Sequence, residues 1–143
     1  MRLRLPHAPY IADKIARDIV HSNFVEVITN IDNISHIAKK YLEEDIKKEM
    51  VLEERVIGLL EDNEEEIEFM RLNQKELFRM AKKRLALEIG FITNWDERFN
   101  ELAHKIMDEL IDDSHINFNV SENKVKNTIF KAIESYLKSF EEI

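Results

Sequence analysis

The sequence lacks cysteine and has only two glycines and two prolines in 143 residues. The absence of cysteine excludes disulfides, thiol catalysis and cysteine-based zinc or iron–sulfur sites. Two glycines cannot build a glycine-rich phosphate loop, and so few turn residues argue against a turn-rich all-β fold. No apolar run exceeds three residues, whereas a bilayer-spanning helix needs roughly 20. We therefore expect no contact with a membrane and a cytoplasmic location.

The composition is that of a folded, acidic domain. Apolar residues make up 44% of the chain, charged residues 35%, and the net charge is −8. The length suits one domain over residues 1–143, large enough to bury a real core. The negative charge argues against general binding to nucleic acid.

Apolar spacing predicts an all-α fold of about six helices. Ile11, Ile15 and Ile19 recur at every fourth position and give the first helix one apolar stripe. Asn73, with Glu76 three positions later, is typical of a capping box that opens a fourth helix, and Gly90 suits its end. The third helix is expected to be long, with a bend near Asn63.

Two segments, 10–42 and 98–137, share a helix–link–helix pattern. Ala12, Lys14 and Ile15 match Ala103, Lys105 and Ile106. The alternative is two generic amphipathic hairpins without common origin. A duplication predicts two pseudo-symmetric helix hairpins, with residues 43–90 as the connector. The links Phe24–Ile28 and Ile116–Val120 would then meet and form a minimal two-stranded antiparallel sheet, because unpaired backbone groups are costly away from water.

Four stretches along the chain resemble a known family. They are Leu5–Ile11, Leu42–Glu49, Asp62–Met70 and Ser121–Ile133. Through them the whole chain resembles the long form of the bacterial family catalogued as domain of unknown function 507. The resemblance implies a bacterial cytosolic protein, and it carries over no site residue.

Charge is polarised along the connector. Residues 43–68 hold twelve acidic and three basic side chains, and residues 71–84 hold six basic and one acidic. Helical spacing places the basic residues on one face; they are Arg71, Lys75, Arg79, Lys82 and Lys83. These cations either pair with the acidic helix or form a face on helix 74–89 that binds anions, nucleic acid or an acidic partner.

The helix over residues 43–60 has more apolar positions than one contact requires. Ile46, Met50, Ile57 and Leu60 form one stripe, and Leu52, Val56 and Leu59 form another. Two stripes indicate a helix covered on two sides, or a side left for a partner. This surplus favours a protein partner or self-association through that face.

Metal chemistry has one weak signal. Glu101 and His104 have the spacing of an i, i+3 ligand pair, and Asp18 and His21 form an imperfect second pair. Surface histidines explain the same pattern, so we expect no metal and no cofactor. The leading functional hypothesis is a non-enzymatic interaction or regulatory module. A nucleic-acid-associated protein is the alternative, and a carboxylate–histidine metal enzyme is the third.

Overall fold

The computed structural model describes residues 1–141, which form six α-helices and a two-stranded sheet. This confirms the predicted all-α fold with a minimal β link. A short 3₁₀ helix at Leu5–His7 precedes the first α-helix. The elements are α1 (Ala8–Val20), β1 (Val25–Val27), α2 (Ile31–Asp62), α3 (Glu64–Phe69), α4 (Gln74–Ile89), α5 (Trp95–Asp112), β2 (Ile116–Phe118) and α6 (Glu122–Glu141).

The chain groups into two compact units. Unit 1 consists of Met1–Ile46 together with the chain from Trp95 onward, and unit 2 is Lys47–Asn94. Both predicted copies, 10–42 and 98–137, fall in unit 1, and most of the predicted connector falls in unit 2. The expectation of one domain over residues 1–143 stays a prediction.

Unit 1 has an extensive apolar core. The predicted stripe of α1 is completely buried, and α5 and α6 contribute matching stripes. Burial of these isoleucine, leucine and phenylalanine side chains is the main stabilising contribution, at roughly 25 cal/mol per Å² removed from water. The principal side chains are Ile11, Ile15, Ile19, Ile34, Leu42, Phe99, Ile106, Leu110, Ile129, Ile133 and Leu137.

The two links pair as an antiparallel sheet. Val25 lies opposite Phe118, Glu26 opposite Asn117, and Val27 opposite Ile116. The side chains of β2 alternate, since Ile116 is buried and Asn117 is exposed. Each strand thus supplies the backbone partners that the other lacks, which confirms the predicted pairing of the links.

A residue with left-handed backbone precedes each strand. Asn23 has φ 68° and Ser114 has φ 56°, a conformation that ends a helix and redirects the chain. After the strands, the side chains of Asn30 and Ser121 cap α2 and α6 by accepting the amides of Asn33 and Lys124. Three pairs of equivalent residues are separated by the same number of residues along the chain. They are Asn23 and Ser114, Val25 and Ile116, and Asn30 and Ser121. Strand β1 therefore begins one residue after the start of the predicted link at Phe24, whereas β2 begins where the predicted link begins, at Ile116.

Unit 2 contains the second half of α2 together with α3 and α4. Its core is small and consists of Leu52, Val56, Leu85 and Ala86, with Leu60, Phe78, Ala81 and Phe91 packed against it. Helix α2 ends at Asp62, close to the bend expected near Asn63. Gly90 ends α4 with φ 76°, as its position after the last apolar turn predicts.

Candidate interaction surface

Lys82, one of the five predicted basic residues, is paired with acidic residues of α2. Its Nζ lies 3.1 Å from Glu49 Oε2 and 3.2 Å from Glu53 Oε1. The Glu49 residue is only 8% exposed, and a buried carboxylate needs such a cation. At this position the basic helix therefore packs along the acidic one, as the charge-pairing alternative expects.

The other four basic residues are exposed. Arg71, Lys75, Arg79 and Lys83 make no ion pair within residues 1–141. Helix α4 begins between Arg71 and Lys75. The Asn73 side chain caps it by accepting the amides of Lys75 and Glu76 at 3.0 and 3.2 Å. The face therefore keeps four uncompensated cations that are available to an anion or an acidic partner.

The exposed side of α2 in unit 2 carries apolar residues among charged ones. Met50 and Ile57 lie two turns apart and Val51 lies beside them, all about half exposed. The predicted stripe differs at both ends: Ile46 is buried in unit 1, and Leu60 packs against the small core of unit 2. Leu59 is 49% exposed as well, but it lies on the opposite side of the helix from Met50. The exposed apolar face of α2 is thus Met50, Val51 and Ile57.

A second exposed apolar group lies between α3 and α4. Phe69 is 89% exposed, Met70 64% and Leu72 42%. The sequence pattern treats Met70 as a continuation of the helix and therefore misses this group. The sequence does contain a sign of this group, because three large apolar side chains occur within four residues directly before the Asn73 cap. We call Phe69–Leu72 the tip.

The acid–histidine pairs do not assemble into a metal site. The side chains of His104 and Asp108 are exposed and contact each other at 3.2 Å, and Lys14 pairs with Asp18 at 3.2 Å. Glu101 and His21 are exposed as well. Within residues 1–141, no three histidine, cysteine or carboxylate side chains form a group that could hold a metal ion.

A polar cluster in unit 1 joins α2 to α5. Glu109 accepts hydrogen bonds from Lys40 and, at 2.9 Å, from the Tyr41 hydroxyl. The Lys40 bond lowers the pKa of Glu109, and the same bond raises the pKa of Lys40. Burial and the bond to Glu109 raise the pKa of Tyr41. These pKa shifts favour the ordinary charge state of each group, and the two hydrogen bonds tie α2 to α5.

A family model described as "Protein of unknown function (DUF507)" matches residues 1–143. The chain belongs to the DUF507 family. This confirms the resemblance found in the sequence. The DUF507 match spans unit 1 and unit 2 alike, so the surfaces of α2, α4 and the tip all lie within it. No curated protein matches the chain significantly.

The DUF507 chain offers no membrane-spanning candidate among its described helices. None of them is both long enough and apolar enough to cross a bilayer. Even α2, the longest helix, alternates its apolar residues with many carboxylates. Of its exposed apolar residues, Met50 and Ile57 lie two turns apart on one side of the helix.

Proposed function

We propose that this chain is a non-enzymatic protein–protein interaction or regulatory module of the bacterial cytoplasm. Unit 1 acts as the scaffold, and unit 2 meets a protein partner. The observation that supports this most directly is the exposed apolar face of α2, formed by Met50, Val51 and Ile57. Contiguous apolar side chains on a protein surface mark interaction sites more often than chance.

The distribution of exposed apolar residues supports the assignment of unit 2 as the binding part. Ten of the sixteen large apolar side chains found exposed within residues 1–141 belong to unit 2, which is the smaller unit. Its charged residues border these side chains, as in the polar rim around an apolar interface core. A partner helix with an apolar stripe would cover Met50, Val51 and Ile57 by packing along α2.

We further infer that the scaffold arose by duplication of a helix–strand–helix segment. Buried positions coincide at one constant spacing along the chain, including Ile15 with Ile106, and Leu42 with Ile133. The strand register follows the same relation, since Glu26 and Asn117 are both equivalent and directly opposite. A hairpin of this kind cannot bury its apolar face alone, and packing two copies solves that problem.

A photocrosslinking experiment in the native host tests the interaction. A crosslinking amino acid at Val51 is expected to capture a discrete protein, because the side chain is 57% exposed on the proposed face. The matched control places the same amino acid at Leu87, an exposed apolar position on α4. Capture from Val51 that a Met50→Glu change abolishes supports the proposal. Equal capture from both positions, or none from Val51, contradicts it.

A second candidate is a nucleic-acid-associated protein that uses the basic face of α4. It is favoured by the four uncompensated cations Arg71, Lys75, Arg79 and Lys83. Helix α4 itself exposes no aromatic side chain on which a base could stack, and the exposed aromatic Phe69 lies beside Arg71 only. The net charge of −8 also disfavours binding to nucleic acid, so this candidate ranks second. A salt-sensitive mobility shift with RNA or duplex DNA, lost when Lys75, Arg79 and Lys83 are changed to Glu, would establish it. Absence of a shift at low salt, where the phosphate contribution is largest, would exclude it.

A further inference from the structure

A groove lies at the end of unit 2 where α2, α3 and α4 meet. Its volume is about 500 Å³, its apolar part is Ile57, Leu60 and Ile67, and its polar part is Glu61, Glu64 and Gln74. Ile67 is buried, and Leu60 packs against the core of unit 2. Packing within the unit therefore holds the floor of the groove in place before any partner arrives.

The groove continues the exposed apolar face of α2. Ile57 belongs to both, and Met50 lies seven residues before it, which is about 10 Å along the helix. On the far side of the groove, the amide of Leu72 donates to the Ile67 carbonyl at 3.1 Å and holds the tip beside it. A partner helix that packs along Met50 and Ile57 therefore reaches the groove at one of its ends.

Carboxylates outnumber cations around the groove. Residues 61–75 hold six acidic side chains and two basic ones, Arg71 and Lys75. All eight are exposed, and none of them makes an ion pair within residues 1–141. Arg79 and Lys83 lie more than one and more than two turns farther along α4 than Gln74. The groove therefore has a surplus of uncompensated negative charge at its rim, and this charge repels an acidic partner and attracts a basic one.

We propose that the groove receives the end of a basic amphipathic helix from the protein partner. The apolar stripe of that helix covers Met50 and Ile57 and places its last side chain in the groove. Lysine or arginine side chains at the same end lie against Glu61 and Glu64, with their aliphatic stems on the apolar lining. This inference rests on the proposed function, because it states the chemistry of the partner that the same surface binds.

Two synthetic peptides and the purified full chain test this chemistry. Both peptides carry leucines at i, i+3, i+4 and i+7, and their remaining positions are lysine in one peptide and glutamate in the other. Fluorescence anisotropy at low ionic strength measures the two dissociation constants. The lysine peptide is expected to bind at least tenfold more tightly than the glutamate peptide, because only the former complements the rim of the groove.

Charge reversal at the groove separates local from overall electrostatics. Combining Glu61→Lys with Glu64→Lys is expected to weaken the lysine peptide about tenfold and to strengthen the glutamate peptide. The matched control combines Asp112→Lys with Asp113→Lys, two exposed positions of unit 1 that give the same change in net charge. It is expected to change the binding of either peptide by less than about twofold, since salt screens distant exposed charges.

The apolar contribution is measured at Ile57. Ile57→Ala is expected to weaken both peptides about fivefold, because each covers this side chain with its leucine stripe. Leu87→Ala, at an apolar position with 78% exposure on α4, is the matched control and is expected to leave both unchanged. All four positions that are changed at the groove or on α4 are at least 40% exposed or polar and outside the core, so the variants are expected to fold.

The inference is overturned if the two peptides bind equally, if the lysine peptide does not bind, or if the groove and control reversals weaken it to the same extent. It is also overturned if a crosslinker at Val51 still captures its protein in the variant with Glu61→Lys and Glu64→Lys, and that outcome leaves the proposed function intact. Absence of capture from Val51 in the wild-type protein contradicts the proposed function, and the peptide measurements do not depend on it.

Discussion

Unit 1 and unit 2 are both built of helices, but they bury very different amounts of apolar surface. The core of unit 1 draws on α1, the first half of α2, α5, α6 and the β link, whereas the core of unit 2 is a row of four buried side chains. Burial is the dominant favourable contribution to folding. Most of the stability of the chain should therefore reside in unit 1, and unit 2 should open more readily.

The two units also differ in what they leave exposed. Unit 2 keeps Met50, Val51 and Phe69 in water, and four cations of the predicted basic face have no ionic partner within residues 1–141. Unit 1 instead pairs its inward charges, as in the contact of 2.7 Å between Arg98 and Asp45. The comparison teaches that the unit with the smaller core is also the one that leaves more large apolar side chains exposed.

Truncation of one core side chain in each unit should give the largest difference in stability between the two units. Phe99 is completely buried in unit 1, so Phe99→Ala should lower the free energy of unfolding by about 3–5 kcal/mol. Leu52→Ala, in unit 2, should cost about 2 kcal/mol and act mainly by local opening. Urea unfolding followed by fluorescence of the single tryptophan, Trp95 of unit 1, checks this. Equal shifts of the midpoint for both variants would contradict the difference between the units.

The inward ion pairs give a second, smaller contrast. Arg98 is only 6% exposed, so Arg98→Ala leaves the Asp45 carboxylate without this cation and should cost about 3 kcal/mol. Lys82→Ala removes this cation from Glu49 and Glu53, and because Lys82 is more exposed than Arg98 it should cost about 1 kcal/mol. Differential scanning calorimetry of both variants measures the two losses. A larger loss of stability for Lys82→Ala than for Arg98→Ala would contradict this account, because it would mean that the ion pairs of unit 2 stabilise the protein more than the Arg98–Asp45 pair of unit 1.

The smallest expected effect is the pH dependence contributed by His7. Burial lowers the pKa of His7, and the nearby Arg4 lowers it further, while the ring packs 5.0 Å from that of Phe140. Because the folded state disfavours the protonated ring, this contribution to stability is present above the unfolded pKa of roughly 6.5 and is lost as pH falls below it.

A His7→Phe variant measures this contribution. It should reduce the fall in melting temperature between roughly pH 7 and pH 5, where an unperturbed histidine titrates. His36→Asn, a change at an exposed histidine, serves as the control and should leave the wild-type slope in place. An unchanged slope in His7→Phe would show that the ring does not contribute.

Much of unit 1 could be predicted from the sequence because its signals are local or paired. The stripe Ile11, Ile15 and Ile19 has the helical period, and the β link follows from two short extended segments at equivalent places. The predicted start of the first link, Phe24, lies one residue before the equivalent of Ile116. The left-handed residues Asn23 and Ser114 mark the equivalent points before the two strands, and backbone conformation of that kind has no reliable residue signature.

The surface of unit 2 could be predicted only in part. Helical spacing placed all five basic residues on one face, yet that face straddles the edge of the contact between α2 and α4. Lys82 consequently turns inward, and Lys75, Arg79 and Lys83 remain outside. The tip was missed because exposure of Phe69 depends on where α3 ends and on the absence of a packing partner within the unit, and neither is encoded by periodicity.

Native-state hydrogen exchange of the full chain tests the central claim most directly. The account predicts that amides of residues 47–94 exchange through an opening of lower free energy, while amides in α1, α5 and α6 exchange only through global unfolding. Low concentrations of denaturant should then leave these two groups separate until the global transition approaches. Convergence of all amides on one opening free energy would contradict the division into a more stable unit 1 and a less stable unit 2.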